Sequence, residues 1–331
     1  MINSFRFLAI LTFVILHAVP GHGQQLIPQP SELAYAEGRF TITPETVIVP
    51  HESDDLAGYL NDHIERVCGF RLRTVPHTPE TNYISLRRGG HLGNEAYTLS
   101  IEPEHIIIRG GDRGGVFYGL QTLFQLMPPE VYGQSVASAP QPLTLDAVSV
   151  KDGPRYAYRG AMLDAARHFF PAADVKKFID ILALHKINRF HWHLTDDQGW
   201  RIEIKRYPEL TRIGSNRRET IVGFHKTSTT YDDTPYGGYY TQEEIRDVVR
   251  YAADRGIVII PEIEMPGHSA AALASYPWLG CTGGPYEVWT KWGISEDIYC
   301  AGKETTFEFL ENVLLKESLT SIFWTAVRDD R

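Results

Sequence analysis

An ordered alternation of strand-like and helix-like segments after residue 153 is the feature that most constrains the fold of this chain. The segments run, in order, over residues 160–166, 171–186, 187–195, 241–256, 257–265 and 303–317. The strand-like segments are short and apolar, whereas the helix-like ones repeat apolar residues at helical spacing. This order of segments is the one that builds a parallel α/β sheet or barrel. We therefore predict an α/β fold for residues 153–331.

Residues 24–152 predict a different architecture, in which short strands follow one another and two helices intervene. Leu56, Leu60, Ile64 and Val67 share one face of the first predicted helix. The strand-like sequences are FTITPETVIVP, NYISLRR, AYTLSIEP and HIIIRGG, and the second helix-like sequence is GGVFYGLQTLFQLM. Strands in a run with two helices indicate an α+β domain.

Residues 1–23 have the pattern of a signal peptide. Arg6 supplies a positive charge, an apolar run follows over residues 7–19, and Gly21 and Gly23 are small residues before a cleavage position. A membrane anchor is the alternative, but the apolar run is short for a span. We predict export to a secreted, periplasmic or lysosome-like compartment, with no membrane attachment after cleavage.

The net charge and the cysteines of the chain indicate which binding partners and which cellular compartment to expect. The net charge of -9 and the pI near 5.8 argue against a nucleic-acid partner. Cys281 and Cys300 bracket a loop rich in glycine and tryptophan, and we predict that they form a disulfide in an oxidising compartment. Cys68 follows an apolar helix and is predicted to be a buried free thiol.

Polar side chains accompany each of the three strand-like segments in the second half. They are Arg159, Asp164, Arg167 and His168 around the first, Asp196 and Asp197 after the second, and Glu262, Glu264 and His268 at the third. Taken one at a time, these residues could have purely structural roles, since adjacent aspartates cap turns and a loop histidine is often structural. Three successive strand ends with polar groups nevertheless indicate a site, because barrel chemistry lies at the carboxyl ends of the strands.

Two chemistries fit these residues before any resemblance is considered. Carbohydrate hydrolysis uses carboxylates and aromatic platforms. Metal-dependent hydrolysis is the alternative, because His191 and His193 share one face of a strand and, with Asp196 and His268, could bind zinc. The two strand histidines lie inside the strand rather than at its end, so we predict no metal.

Several long motifs, in order, resemble the family 20 glycoside hydrolases, the β-N-acetylhexosaminidases. They are YRGAMLDAARHFFP, INRFHWHLTDDQGWRIEIKRYPELTRIGS, GGYYTQEEIRDVVRYAADRGIVIIPEIEMPGH and YCAGKETTFEFLENVL, with LIPQPSEL and RGGDRGGVFYGLQTLFQL in the first domain. The resemblance implies an α+β domain followed by a (β/α)8 TIM barrel, of which about three of eight βα units are present. It implies release of terminal, non-reducing N-acetylglucosamine or N-acetylgalactosamine from β-linked glycans, without a cofactor.

The resemblance also implies roles for individual residues. The sugar's own acetamido oxygen attacks the anomeric carbon, so the mechanism is substrate-assisted and retaining. Arg159 is expected to bind sugar hydroxyls, and Asp196 and His268 to support the catalytic acid from behind. Asp197 is expected to cap or to position the turn. The glycan partner therefore contains N-acetylhexosamine.

The acid and the aspartate that orients the acetamido group belong to a motif like His-x-Gly-Gly-Asp-Glu after the third helix. After FEFLENVLLKE this sequence reads SLTSIFWTAVRDDR, and no such motif occurs in it. We expect a chain without a complete catalytic set, corresponding to the front part of a hexosaminidase and inactive alone. A non-catalytic, sugar-binding short form is the alternative.

Overall fold

The computed structural model of the chain describes residues 26–50 and 55–314. The predicted signal peptide lies outside the described residues. The strands are β1 (Glu32–Ile42), β2 (Val47–Val49), β3 (Arg73–Thr74), β4 (Tyr83–Arg88), β5 (Tyr97–Glu102), β6 (His105–Gly110), β7 (Leu143–Asp152), β8 (Gly160–Asp164), β9 (Arg189–His193), β10 (Thr195–Asp196), β11 (Gly199–Trp200), β12 (Asn216–Arg217), β13 (Tyr236–Gly237) and β14 (Val258–Glu262). The helices are α1 (Leu56–Cys68), α2 (Arg113–Gln125), α3 (Ala172–Leu184), α4 (Glu209–Arg212), α5 (Gln242–Ala253), α6 (Ala270–Ser275) and α7 (Glu304–Leu314), with 3-10 turns at Pro129–Tyr132 and Pro277–Leu279.

The first half forms one mixed sheet in the order β1-β7-β5-β6-β4-β2-β3. The pairs from β1 to β6 in this order are antiparallel, and those from β6 to β3 are parallel. Helix α2 lies against β5 and β6. Its first turn is capped by the Asp112 carboxylate, which accepts a hydrogen bond from the Gly115 N–H at 2.8 Å.

The predicted helix face of the first half is buried in the sheet core. Leu56, Leu60, Ile64 and Val67 are each 5% exposed or less. Strand β7 was not among the predicted segments, although it alternates buried and exposed residues over most of its length. It lies between β1 and β5, so it is an interior strand, next to the edge strand β1.

The second half contains a parallel sheet in the order β14-β9-β8. Phe190 and Trp192 of β9 are fully buried, and Phe190 contacts Phe178 of α3 at 5.5 Å between ring centroids. This face of the sheet therefore meets the helices. The other face carries a row formed by Met162, His191 and Ile260, which are aligned across the three strands.

Consecutive strands are neighbours and run in the same direction, which is consistent with the first part of a (β/α)8 barrel. The overall class is mixed α/β. The described residues contain no helix with both the length and the apolar character needed to cross a membrane.

Candidate active site

Three side chains at the carboxyl ends of the parallel strands form the floor of the candidate site. Asp164, His193 and Glu262 are aligned across β8, β9 and β14. His193 Nδ1 lies 3.4 Å from Asp164 Oδ1. Because these residues are aligned in register, their side chains emerge on the same face of the sheet.

Asp196 lies next to this floor and is fully enclosed. Its side chain has no exposed surface, and its Oδ2 lies 2.7 Å from Arg167 Nη2. Its Oδ1 lies 3.0 Å from His268 Nδ1 and accepts a hydrogen bond from the Asp197 N–H at 2.6 Å. Burial raises the pKa of Asp196, and the neighbouring Arg167 and His268 oppose that rise.

The structure therefore brings the predicted pair Asp196 and His268 into direct contact. His268 has a left-handed backbone conformation, with φ of 51°, which few non-glycine residues adopt. Its side chain is one-quarter exposed, so one edge of the ring remains open to the site. An imidazole held by a buried carboxylate is suited to orient a further group on its open edge.

Arg167 links the first and second strands of the sheet. Its Nη1 donates to Asp164 Oδ2 at 2.8 Å, and its Nη2 reaches Asp196. The pKa of Asp164 is lowered, since the hydrogen bonds from Arg167 outweigh the burial that alone would raise it. Arg167 thus places a fixed guanidinium at the carboxyl end of the barrel-like sheet.

Arg159 lies elsewhere. It precedes β8, at the opposite end of the strand from Asp164, and its Nη1 contacts Glu95 Oε2 at 3.0 Å. Its Nη2 donates to the Tyr118 hydroxyl at 3.1 Å, and its Nε donates to the Lys186 carbonyl at 2.7 Å. The structure does not bring Arg159 to Asp196 and His268. It connects the first domain to the amino ends of the parallel strands instead.

Asp197 holds two loops in place. Its Oδ1 accepts from the Ala270 N–H at the start of α6, at 3.0 Å, and its Oδ2 accepts from the Ser295 N–H at 2.9 Å. The side chain is completely buried. These contacts join the turn after β9 to the start of α6 and to the loop before α7, and the capping or positioning role of Asp197 stays a prediction.

Two glutamates complete the polar group. His191 Nε2 lies 2.5 Å from Glu262 Oε2, and Glu264 Oε1 lies 3.6 Å from His193 Nε2. Burial raises the pKa of Glu264, and the neighbouring Glu262 adds to the rise. The site therefore contains carboxyl groups with different pKa values: that of Asp164 is lowered by its surroundings, and those of Asp196 and Glu264 are raised.

The alternative zinc set of His191, His193, His268 and Asp196 is not assembled as a single cluster among the described residues. His191 is engaged with Glu262. The groupings whose ligand atoms lie within 4.8 Å of one another are His193, Asp196 and Glu264, and Asp196, Asp197 and His268. Both include Asp196, and the guanidinium of Arg167 already occupies its Oδ2. A fixed positive charge at that oxygen opposes a cation there.

Arg201 is a structural residue of the site that sequence reasoning missed. It is fully buried, and its side chain donates to the carbonyls of Ala166, Ser215, Gly238 and Gln198. Burial lowers its pKa to about 10, and nearby Arg217 contributes to the decrease. Its position directly after the DDQGW sequence could have drawn attention to it. The carbonyls to which it donates could not be predicted, because they are far apart along the chain.

The cysteines have the predicted arrangement in the structure. Cys281 and Cys300 form a disulfide that closes the loop between α6 and α7. Cys68 is free and buried, and burial raises the pKa of its thiol to about 11.

Comparison with known proteins identifies the family. The model for domain 2 of glycosyl hydrolase family 20 matches residues 23–153, and the model for the catalytic domain of the same family matches residues 156–326. The chain belongs to glycosyl hydrolase family 20. Its two halves therefore correspond to domain 2 and to part of the catalytic domain of that family.

Curated relatives of this family 20 chain are β-hexosaminidases. The chain is 43% identical over 297 residues to a β-hexosaminidase of Porphyromonas gingivalis, covering 88% of this chain and 37% of that protein. It is 36% identical over 301 residues to a β-hexosaminidase of Vibrio furnissii, covering 90% of this chain and 46% of that protein. The chain thus spans less than half the length of these curated relatives.

Solved structures of family 20 enzymes have the same fold over the matched part. The β-N-acetylhexosaminidase of Streptomyces coelicolor A3(2) is similar with a TM-score of 0.77 and 37% identity, covering 88% of this chain and 56% of that one. The exo-β-N-acetylglucosaminidase of Vibrio harveyi, solved with N-acetylglucosamine, gives a TM-score of 0.74 and 32% identity, covering 91% of this chain and 45% of that one.

Proposed function

We propose that the complete product of this gene hydrolyses terminal, non-reducing N-acetylglucosamine or N-acetylgalactosamine from β-linked glycoconjugates, by a substrate-assisted retaining mechanism. The contact of Asp196 with both Arg167 and His268 carries the proposal. It places a buried, charge-balanced support at the carboxyl ends of three parallel strands, where barrel enzymes bind substrate. The N-acetylglucosamine bound to the Vibrio harveyi relative supports the choice of sugar.

Arg167 is the arginine that we assign to the sugar hydroxyls. A guanidinium can donate to two oxygens at once, which suits a pair of neighbouring hydroxyls. Arg167 meets this requirement at the correct end of β8, and its two carboxylate partners fix its orientation. Arg159 lies at the other end of the strand, so we transfer to Arg167 the role that the motif resemblance had suggested for Arg159.

Asp196 and His268 act as positioning residues in this proposal. Asp196 holds the histidine through Nδ1 at 3.0 Å, which leaves Nε2 to meet the catalytic acid. The 331 residues contain no sequence like His-x-Gly-Gly-Asp-Glu. We therefore propose that this chain by itself does not catalyse hydrolysis, since loss of a general acid alone typically costs 10²–10⁴-fold in rate.

Export is part of the proposal. The disulfide between Cys281 and Cys300 belongs to an oxidising compartment, and residues 1–23 have the composition of a signal peptide. Amino-terminal sequencing of the mature protein from its native source should begin near Gln24. Recovery of the intact amino terminus on a membrane-bound protein would contradict export as a cleaved, released form.

The experiment for the proposed activity compares two substrates of equal leaving group. The complete gene product should hydrolyse an aryl N-acetyl-β-glucosaminide and should leave the corresponding aryl β-glucoside intact, because the second sugar lacks the acetamido oxygen. Absence of hydrolysis of the first substrate across mildly acidic to neutral pH refutes the activity. Comparable hydrolysis of both refutes the substrate-assisted mechanism.

A further inference from the structure

An open cavity of about 220 Å³ has Arg167 among its lining residues. Its walls include Gln198 of the turn between β10 and β11, Phe224 and His225 of a second loop, and Trp292 of a third. Ligand pockets are mostly larger, about 300–1,000 Å³. A cavity of this size next to a sugar site has room for one additional ring rather than for a long chain.

The aromatic residues of this cavity are unusually exposed. Phe224 is 63% exposed and Trp292 is 61% exposed. The ring centroid of His225 lies 5.0 Å from each of them, so the three rings form a connected group. We call Phe224, His225 and Trp292 the aromatic platform. Clustered exposed apolar side chains commonly mark a binding surface.

The loop that carries Trp292 is fixed to the turn that contains the buried aspartates. The Trp289 N–H donates to the Asp197 carbonyl at 3.0 Å, and the Gln198 side-chain amide donates to the Lys291 carbonyl at 3.0 Å. The Ser295 N–H donates to the Asp197 carboxylate at 2.9 Å. The position of the Trp292 loop is therefore set by the same residues that build the candidate active site.

The loop that carries Phe224 is connected to the Trp292 loop. The Ile221 N–H donates to the Thr290 carbonyl at 2.9 Å. Gly223 has a φ of 90°, a conformation that strongly favours glycine and turns the chain immediately before Phe224. The two loops consequently present their aromatic rings to one cavity. The aromatic platform is therefore preorganised for a ligand.

One acceptor without a hydrogen-bond partner in the same cavity wall indicates a polar ligand. Gln198 is only 4% exposed, and its Oε1 is a buried acceptor with no partner among residues 26–50 and 55–314. Arg217 uses its Nε and Nη1 for Thr220 and for the Arg167 carbonyl. A few convergent polar groups beside aromatic rings are what a small-molecule site requires, and a pyranose has both an apolar C–H face and hydroxyls.

We infer that the aromatic platform binds the pyranose ring to which the terminal N-acetylhexosamine is linked, so that the protein prefers oligosaccharides to glycosides with a small leaving group. This inference rests on the proposed function, because it takes the terminal sugar to lie at Arg167. The C–H face of the second sugar stacks on Trp292 and Phe224, whose large rigid rings lose little conformational freedom on binding.

The kinetic test uses two substrates and the complete gene product. They are N,N'-diacetylchitobiose and methyl N-acetyl-β-glucosaminide, whose leaving group has no ring to stack. Trp292→Ala and Phe224→Ala should each raise KM for the disaccharide by about tenfold and change kcat/KM for the methyl glycoside by less than about twofold. Trp292→Phe should restore most of the disaccharide KM. Tyr158→Ala, at an aromatic residue that is 61% exposed but does not line the cavity, is the control.

A binding test separates failure of this inference from failure of the proposed function. Calorimetric titration of the same protein with N-acetylglucosamine and with a sulfur-linked analogue of N,N'-diacetylchitobiose, whose linkage resists hydrolysis, requires no turnover. The disaccharide should bind more tightly, and Trp292→Ala should abolish that advantage. Equal affinity for the two sugars, or an advantage that survives Trp292→Ala, overturns the platform, whatever the hydrolysis assay shows. In the kinetic test, an equal loss on both substrates also overturns it.

Discussion

Arg167 Nη2 lies 2.7 Å from Asp196 Oδ2, and the Asp196 side chain has no exposed surface. A buried carboxylate is strongly disfavoured without partners, and the Asp197 N–H and this arginine both favour the charged form of Asp196. Removal of the guanidinium should therefore change the protonation of Asp196 as well as the stability of the fold.

Arg167→Gln should destabilise the protein progressively as pH rises. Burial already raises the pKa of Asp196, and the substitution removes the neighbouring charge that opposes that rise. A carboxyl with a raised folded-state pKa gives its full stability below the unfolded value, near 4, and loses it as pH rises through the folded value. Urea unfolding should show a small deficit near pH 4.5 and a deficit of about 2–3 kcal/mol near pH 7.5. Arg218→Gln, at an exposed arginine that pairs with the exposed Glu287, is the control. A deficit that does not depend on pH would contradict this account.

Glu95→Gln should weaken the junction between the two domains at neutral pH only. The pKa of Glu95 is lowered, because hydrogen bonds from Arg159 and Asn188 outweigh the burial that alone would raise it. A lowered carboxyl pKa contributes stability above the unfolded value, near 4.3, and that stability is lost as pH falls through the folded value.

The difference in melting temperature between the wild type and Glu95→Gln should be several degrees near pH 7 and should shrink below about pH 4. Glu32→Gln removes an exposed pair with Lys151 and should change the melting temperature little at either pH. A difference that grows toward acid would show that Glu95 does not act through its ionised form.

Arg201→Lys should cost about 2–4 kcal/mol of the free energy of unfolding. The guanidinium serves the carbonyls of Ala166, Ser215, Gly238 and Gln198, and an ammonium has too few donors and the wrong geometry for all of them. Chemical denaturation measures the change. Arg212→Lys, at an exposed pair with Glu209, should stay within about 0.5 kcal/mol of the wild type. A similar result for the two variants would contradict the role of Arg201.

The disulfide should be recovered as one linked peptide pair. Peptide mapping without reduction should connect Cys281 to Cys300 and should leave Cys68 unlinked. Cys68 should react slowly with alkylating reagents in the folded protein, because burial raises its thiol pKa to about 11. Reduction should lower stability by about 3 kcal/mol, the value for a loop of this length in the chain-entropy model. A linked peptide containing Cys68 would contradict this pairing.

Elements with a clear apolar period were predictable from sequence. Helix α1 follows from the spacing of Leu56, Leu60 and Ile64, and β9 and β14 follow from their apolar runs. The pair β10 and β11 could not be predicted, because its strands have two residues each and carry no period. Strand β7 has the expected alternation but was not recognised.

Contacts between residues that follow neighbouring parallel strands could be predicted from the sequence. Contacts that depend on which end of a strand a residue occupies, or on loops far apart in the chain, could not. Asp196 and His268 follow adjacent strands of the parallel sheet, so their proximity could be inferred. Arg159 and Arg167 flank the same strand, and at ~3.3 Å per residue its two ends are about 16 Å apart. The motif resemblance alone did not establish which of these two arginines lies at the carboxyl end of β8, where the candidate site is.

The most direct test of this account compares the two arginines in the complete gene product. Arg167→Ala should lower kcat/KM for an aryl N-acetyl-β-glucosaminide by about 10²-fold, because charge-assisted hydrogen bonds to sugar hydroxyls are lost without replacement. Arg159→Lys, checked by circular dichroism for a native fold, should keep kcat/KM within about threefold of the wild type, since Arg159 contacts Glu95 and Tyr118 at the opposite end of β8. Near-normal activity of Arg167→Ala, or an equal loss in a folded Arg159→Lys protein, would contradict a site built at the carboxyl ends of β8, β9 and β14.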